Sequence, residues 1–294
     1  MMANSTNQIE KYVDKIEING CLYEEIYDPK TEVAKFTFLD KNQQIQEVTH
    51  YDDGNIRYLP MVDNFVRDRI VIFPTKAVPY GTDKDLLQEI ESFIKQYIDI
   101  SEEDAKICTW TIPMYYFYDK LGMAIPYLRA LGDTGCGKSR LLDTVGLISY
   151  RPIPLSGAVT PAILYRVSER WKGTMIIDEA DWEHNEMYST VIKIINCNEP
   201  NRTVLRCGGK NHDKVVAFNP FCPRIFGTRR NFTDIAAESR MLTIQMKETS
   251  RKDIPKVLDD TFYKKQEELR NKLLMFRLSN WNSINSSIKP NLDC

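Results

Sequence analysis

The sequence predicts an α/β fold. A parallel-sheet core over residues 124–248 follows a small β-rich region (1–80) and a helical linker (81–123), and a short helical segment with a tail (249–294) follows the core. Three observations predict it. From about residue 126, short apolar runs alternate with amphipathic ones in strand–helix order, the pattern of a parallel sheet. A glycine-rich stretch, Gly132-Asp133-Thr134-Gly135-Cys136-Gly137-Lys138-Ser139, lies between one such strand and its helix. The apolar strand Thr174–Ile177 ends in Asp178-Glu179-Ala180-Asp181.

Taken in order, Lys35–Leu39 and Ile70–Phe73 read as strands, separated by turn signals such as Asp40-Lys41-Asn42 and Asp52-Asp53-Gly54-Asn55. They suggest a small antiparallel sheet or meander. Thr82 caps a helix that places Leu86, Leu87, Ile90, Phe93, Ile94, Tyr97 and Ile98 on one face. Ser101, with Asp104 three residues on, opens a second helix. Its aromatic run Trp110, Tyr115, Tyr116, Phe117 and Tyr118 reads as core. In the core region Tyr127–Leu131 is a strand, 139–145 a helix and 150–155 a weak second strand. Thr160-Pro161 opens a helix to about Arg170. Thr174–Ile177 is a buried strand and 186–196 a helix, with the last strands at Arg224–Thr228 and Met241–Met246.

Composition bounds the function. The chain has 294 residues, 43% hydrophobic and 27% charged, with a net charge of −2, so any surface for a polyanion must be local. Seven cysteines are scattered with no C-x-x-C pair, and the three histidines make no ligand spacing with them, against zinc and against a disulfide framework. A cysteine inside the glycine-rich loop points to a reducing cytoplasm. The polar N-terminus lacks a signal-peptide core, and no apolar run approaches the roughly 20 residues a membrane helix needs, so no membrane partner is expected.

The stretch 132–139 fits the phosphate-loop pattern G-x-x-x-x-G-K-[ST] at every fixed position. Glycines let the backbone wrap an anion with its N–H groups turned inward. Lys138 can reach the β- and γ-phosphates, Ser139 can ligate Mg²⁺, and the following helix adds the positive end of its dipole. The loop residues, with Arg140 after them, are therefore the candidate ATP site. An acid at the end of a core strand beside such a loop is where Mg²⁺ is held, so Asp178 joins Ser139 as the metal pair. Glu179 is placed to polarise the attacking water. The 40 residues from Lys138 to Asp178 leave room for a further strand between the two that carry them.

On these residues the chain resembles an AAA+ ATPase, a three-layer P-loop core of the ASCE class, over roughly residues 125–247. Phrases such as Tyr127-Leu128-Arg129, Gly173–Asp181 and Glu238-Ser239-Arg240 are similar to those of helicase-like ATPases of plasmids, phages and mobile elements. The resemblance implies that Thr228, ending strand 224–228, is the sensor, which orients the lytic water or touches the γ-phosphate. It also implies that Arg240 is an arginine finger reaching the neighbouring subunit's site, with Arg229 or Arg230 as substitutes. The implied assembly is a ring homo-oligomer, a hexamer, that hydrolyses ATP with Mg²⁺. No sensor 2 stands out: Arg270 and Arg277 lie on a plausible helix and read as solvated.

Residues 200–230 carry seven basic side chains against the single Asp213. Thr203–Cys207 and Lys214–Phe218 flank Gly208–Asp213 as a β-hairpin with a basic tip. Helicases of the minichromosome-maintenance and superfamily 3 types carry a DNA-contacting hairpin before the sensor strand. By that resemblance Lys210 is the first DNA contact, supported by Arg206 and Lys214. A DNA translocase or helicase, an ATP-switched remodeller that does not unwind, and a small-molecule kinase all stay open at this stage.

Overall fold

The computed structural model describes residues 9–156, 160–178, 186–208 and 214–284. The N-terminal region is two small sheets rather than one. Strands β1 (Ile9–Val13) and β2 (Lys15–Ile18) are followed by β3 (Cys21–Asp28), β4 (Val33–Leu39), β5 (Ile45–Val48), β6 (Tyr51–Asp52) and β7 (Ile56–Pro60). β2–β5 form the predicted antiparallel meander, whereas β1 pairs parallel with β7 and β6 antiparallel with it. After the one-turn helix α1 (Asn64–Arg67) the expected strand at Ile70–Phe73 is absent. Val71 and Phe73 are buried, but as anchors of an irregular segment: their apolar content reflects burial, which periodicity alone cannot tell from pairing.

Helix α2 (Asp83–Tyr97) starts at a full capping box, the Thr82 hydroxyl accepting from Asp85 N while the Asp85 carboxylate accepts from Thr82 N. It buries Leu86, Ile90, Phe93, Ile94 and Tyr97, the stripe its sequence marks. Helix α3 (Glu102–Tyr116) is capped by Ser101. Tyr115, Tyr116, Phe117 and Tyr118 are core, but Trp110 is exposed: it shares the run's composition and not its face. The one-turn α4 (Tyr118–Leu121) ends at Gly122, and the chain then enters the core sheet.

That sheet holds β8 (Tyr127–Leu131), β9 (Ile153–Leu155), β10 (Met175–Ile177), β13 (Arg224–Thr228) and β14 (Met241–Gln245), all parallel, in the order β14-β8-β13-β10-β9. The further strand for which the 40 residues from Lys138 to Asp178 leave room is β9, which lies at the sheet edge beyond β10, and the strand that separates the loop strand from the acid strand is β13. Helix α5 (Lys138–Leu141) passes into a π-helical turn, Leu142–Gly146, so the helix expected over 139–145 changes its winding. Gly146 there lies against Ile176, where a Cβ would approach within 2.7 Å. Helices α6 (Pro161–Trp171) and α7 (Glu186–Asn196), the hairpin β11 (Val204–Gly208) with β12 (Lys214–Phe218), and the short α8 (Ile235–Glu238) complete the core region.

The last helix, α9 (Asp260–Asn280), returns to pack on α2, α3 and β4. Phe262 stacks on Phe93, with ring centres 5.5 Å apart. Arg270 and Arg277, expected in solvent, are both buried. Arg270 donates to Leu147 O and Gln266 to Asp143 O, so α9 takes up carbonyls at the end of the helix that follows the loop. Arg277 donates to the carboxylates of Glu24 on β3 and Asp119 on α4. Arg151 closes the network by pairing with the same Glu24 and with Asp14. Four segments distant in sequence are thereby locked by interior charges that a periodicity reading assigns to the surface. Among the described residues no helix is long and apolar enough to cross a membrane.

Candidate functional site

β8 runs out at Leu131 and the glycine-rich loop begins between the ends of its two neighbours. Gly132 N donates to Thr228 O at 3.1 Å, and Met246 N donates to Leu131 O at 2.7 Å. Gly135 and Gly137 hold φ of +85° and +92°, which side-chain-bearing residues rarely adopt, and this turns the loop back on itself. Lys138 lies along the loop, its Nζ 2.8 Å from Gly132 O and 2.7 Å from Asp133 O. One residue later the Ser139 hydroxyl donates to Asp178 Oδ2 at 2.6 Å. Asp178 stands at the end of β10 and closes on β13, where only a glycine fits: a Cβ at Gly227 would meet Asp178 Oδ1 at 2.7 Å.

These groups line a cleft of about 560 Å³ with Thr134, Asp143 and Arg229. Asp143 sits in the π-helical turn, and desolvation together with the Asp178 charge pushes its carboxyl up. A hydroxyl and a carboxylate hydrogen-bonded to each other suit Mg²⁺, which keeps several waters and takes its other oxygens from phosphates. The amides of a loop with two left-handed glycines, together with a nearby ammonium, suit polyphosphate. The residues present therefore fit ATP with Mg²⁺.

A second cavity of about 630 Å³ flanks the same loop at Gly135–Gly137. Tyr97, Ile98, Met246, Ile254 and Pro255 give it apolar walls. Its rim is tied down: Arg251 Nη1 donates to Lys95 O at 2.9 Å, and Thr249 Oγ1 donates to Asp99 at 2.7 Å. Arg140, expected as a nucleotide ligand, spends its guanidinium on the carbonyls of Pro255 and Lys256, both at 2.8 Å. The loop is thus coupled to this wall.

The structure brings Lys138, Ser139 and Asp178 together and brings Thr228 to the loop backbone. Thr228 is buried and its hydroxyl has no hydrogen-bond partner. By strand alternation it turns to the sheet face opposite Gly227 and hence away from Asp178. Arg240 is not brought to this site. Its carbonyl accepts from Tyr127 N at 2.9 Å, so it stands at the far end of β8, five residues or roughly 16 Å of strand before Gly132. Its side chain donates to Ala236 O. Glu179 and Lys210 lie outside the described residues, as do the side chains of Arg206 and Lys214. The hairpin that carries them is formed, with Gly208 opposite Lys214. Arg224, counted among the basic residues of the stretch 200–230, is instead interior, donating to Tyr127 Oη and Pro220 O.

Sequence reasoning missed Arg129, Asp143 and the apolar cavity. A lone arginine inside the apolar strand Tyr-Leu-Arg-Ala-Leu is a signal that could have found the first. The cavity has none, because its walls come from three distant segments.

No protein-family model and no curated protein matches the sequence. Among solved structures the chain is similar to the apo C-terminal region of NrS-1, at 13% identity over 86% of this chain and 65% of that one, with a TM-score of 0.35. A further apo structure of that region gives 13% identity over 91% and 67%, with a TM-score of 0.39. JCV helicase with a bound inhibitor gives 11% identity over 67% and 54%, with a TM-score of 0.35. The chain thus spans about two thirds of the first and about half of the last. At such TM-scores these likenesses carry no argument, and functional assignment rests on the chain's own geometry.

Proposed function

We propose that this chain is an ATP-hydrolysing motor of the AAA+ helicase type that acts on DNA as a ring of identical subunits. The observation that carries the reading is the 2.6 Å hydrogen bond from Ser139 to Asp178, made beside a lysine laid along a glycine loop. Loop amides and Lys138 bind the triphosphate, and the apolar cavity beside Gly135–Gly137 takes the base. Ser139 and Asp178 hold Mg²⁺, which when bound supplies positive charge against the β- and γ-phosphates. Glu179 accepts a proton from the attacking water, and Thr228, at the same strand-end edge of the sheet but on the face away from Asp178, approaches that water from the other side. Arg240 serves the site of the neighbouring subunit, which is consistent with its distance from its own. Arg206, Lys210 and Lys214 grip the DNA backbone through sequence-blind, salt-sensitive contacts.

The test is phosphate release from ATP with and without single-stranded DNA, beside a mass measurement in ATP. Hydrolysis stimulated by DNA in a multimeric species is expected. A chain that fails to bind ATP in calorimetry, or whose hydrolysis ignores DNA, overturns the reading at the corresponding step.

A further inference from the structure

Arg129 occupies the middle of β8, three residues before Gly132, and is 1% exposed. Its register neighbours are Phe226 on β13 and Thr243 on β14. Nη1 and Nη2 each donate to a Glu238 carboxylate oxygen at 2.6 Å. Nη2 also donates to Thr243 Oγ1 at 2.7 Å and Asn231 Oδ1 at 3.3 Å, and the guanidinium lies over the Phe232 ring. Glu238 in turn accepts from Phe232 N at 2.9 Å, and it stands two residues before Arg240. The segment between Thr228 and Arg240 is therefore closed on itself by one carboxylate and fixed to the loop-bearing strand by one arginine.

Burying a guanidinium in a sheet is unfavourable unless its partners are well placed, and an apolar pair of the same volume would fill the space as well. What the fork adds is a fixed angle and distance. We propose that Arg129 is a positioning residue: through Glu238 it sets the reach of Arg240 relative to the phosphate loop of its own subunit. The phosphate loop is thereby linked to the group offered next door. This inference rests on the finger reading of Arg240 above.

Mixed assemblies test it. Lys138→Ala subunits can donate a finger but cannot use one, and Arg240→Ala subunits do the reverse, so mixing the two restores hydrolysis if the finger reading is right. The combined replacement Arg129→Met with Glu238→Leu is expected to bind ATP as the unaltered protein does. Alone, its hydrolysis falls by about tenfold or more, a share of the roughly thousandfold a finger contributes. It recovers when mixed with Lys138→Ala subunits and does not recover with Arg240→Ala subunits. Glu238→Gln, which keeps the shape and removes the charge, should show the same asymmetry should the double variant not fold. Recovery with Arg240→Ala subunits, or unaltered hydrolysis alone, overturns the positioning role. Failure of the Lys138→Ala and Arg240→Ala mixture removes the finger reading and this inference with it.

Discussion

Ser139 Oγ and Asp178 Oδ2 lie 2.6 Å apart although 39 residues separate them. The bond joins the helix that follows the glycine-rich loop to the end of a strand two places from β8 in the sheet, with β13 between. Removing either partner should abolish the gain in ATP affinity that Mg²⁺ confers. For Ser139→Ala and Asp178→Asn, affinity measured by calorimetry with and without Mg²⁺ should converge. A metal dependence retained in both variants would place the metal elsewhere.

Lys138 Nζ donates to the loop carbonyls of Gly132 and Asp133. Loss of a charge-assisted contact costs about 1.5–3 kcal/mol, so Lys138→Ala should weaken ATP binding by roughly ten- to a hundredfold. An unchanged titration would remove the lysine from the phosphate site.

The Thr228 hydroxyl is buried without a partner, an arrangement that costs about 1–3 kcal/mol where it persists. Thr228→Val keeps the shape and drops that cost. Its melting temperature should hold or rise and its ATP affinity should stay, while single-turnover hydrolysis slows. Unaltered hydrolysis would mean that the hydroxyl does not handle water.

Glu25 is buried on β3, with Met61 N donating to it at 3.1 Å. Burial holds its carboxyl well above the usual range, against the opposing pull of Arg151. A raised folded pKa means that the folded state binds the proton more tightly, so stability is lost as pH rises from the ordinary carboxylate range through the raised value. Glu25→Gln should therefore stabilise the protein near neutral pH and make little difference at about pH 3, where both states are protonated. A melting-temperature difference constant from about pH 3 to 8 would contradict this.

Asp119 behaves in the opposite sense. Burial pushes its carboxyl up, but Arg277 and Lys15 more than offset that and hold it far below the usual range. Its contribution is present above its unfolded pKa and is lost only as pH falls through the depressed folded value. Arg277→Leu leaves Glu24 and Asp119 as partly unpaired interior charges. It should cost about 3–5 kcal/mol in denaturant titrations at neutral pH. A change below about 1 kcal/mol would show that the network is not what holds α9 to β3.

The loop and its acid were legible because their chemistry needs fixed residue types at short spacing, which a single sequence displays. The core strands and the two linker helices followed from period and caps: Thr82 and Ser101 sit where their hydrogen bonds place them. Ile70–Phe73 misled because an apolar run records burial and not pairing. Trp110 misled because its aromatic neighbours belong to another face of α3.

By itself the sequence determined the alternating core, the glycine-rich loop with Lys138 and Ser139, and the acid that meets Ser139. Each is encoded by neighbours along the chain, through turn geometry, helix period or a motif of a few residues. Only the tertiary structure decided that Arg277, Arg151 and Glu24 meet in the interior, that Arg129 holds Glu238, and that Arg140 turns from the phosphates to the carbonyls of Pro255 and Lys256. A charged side chain is solvated or paired according to what lies within a few ångströms of it, and those partners come from segments more than a hundred residues apart.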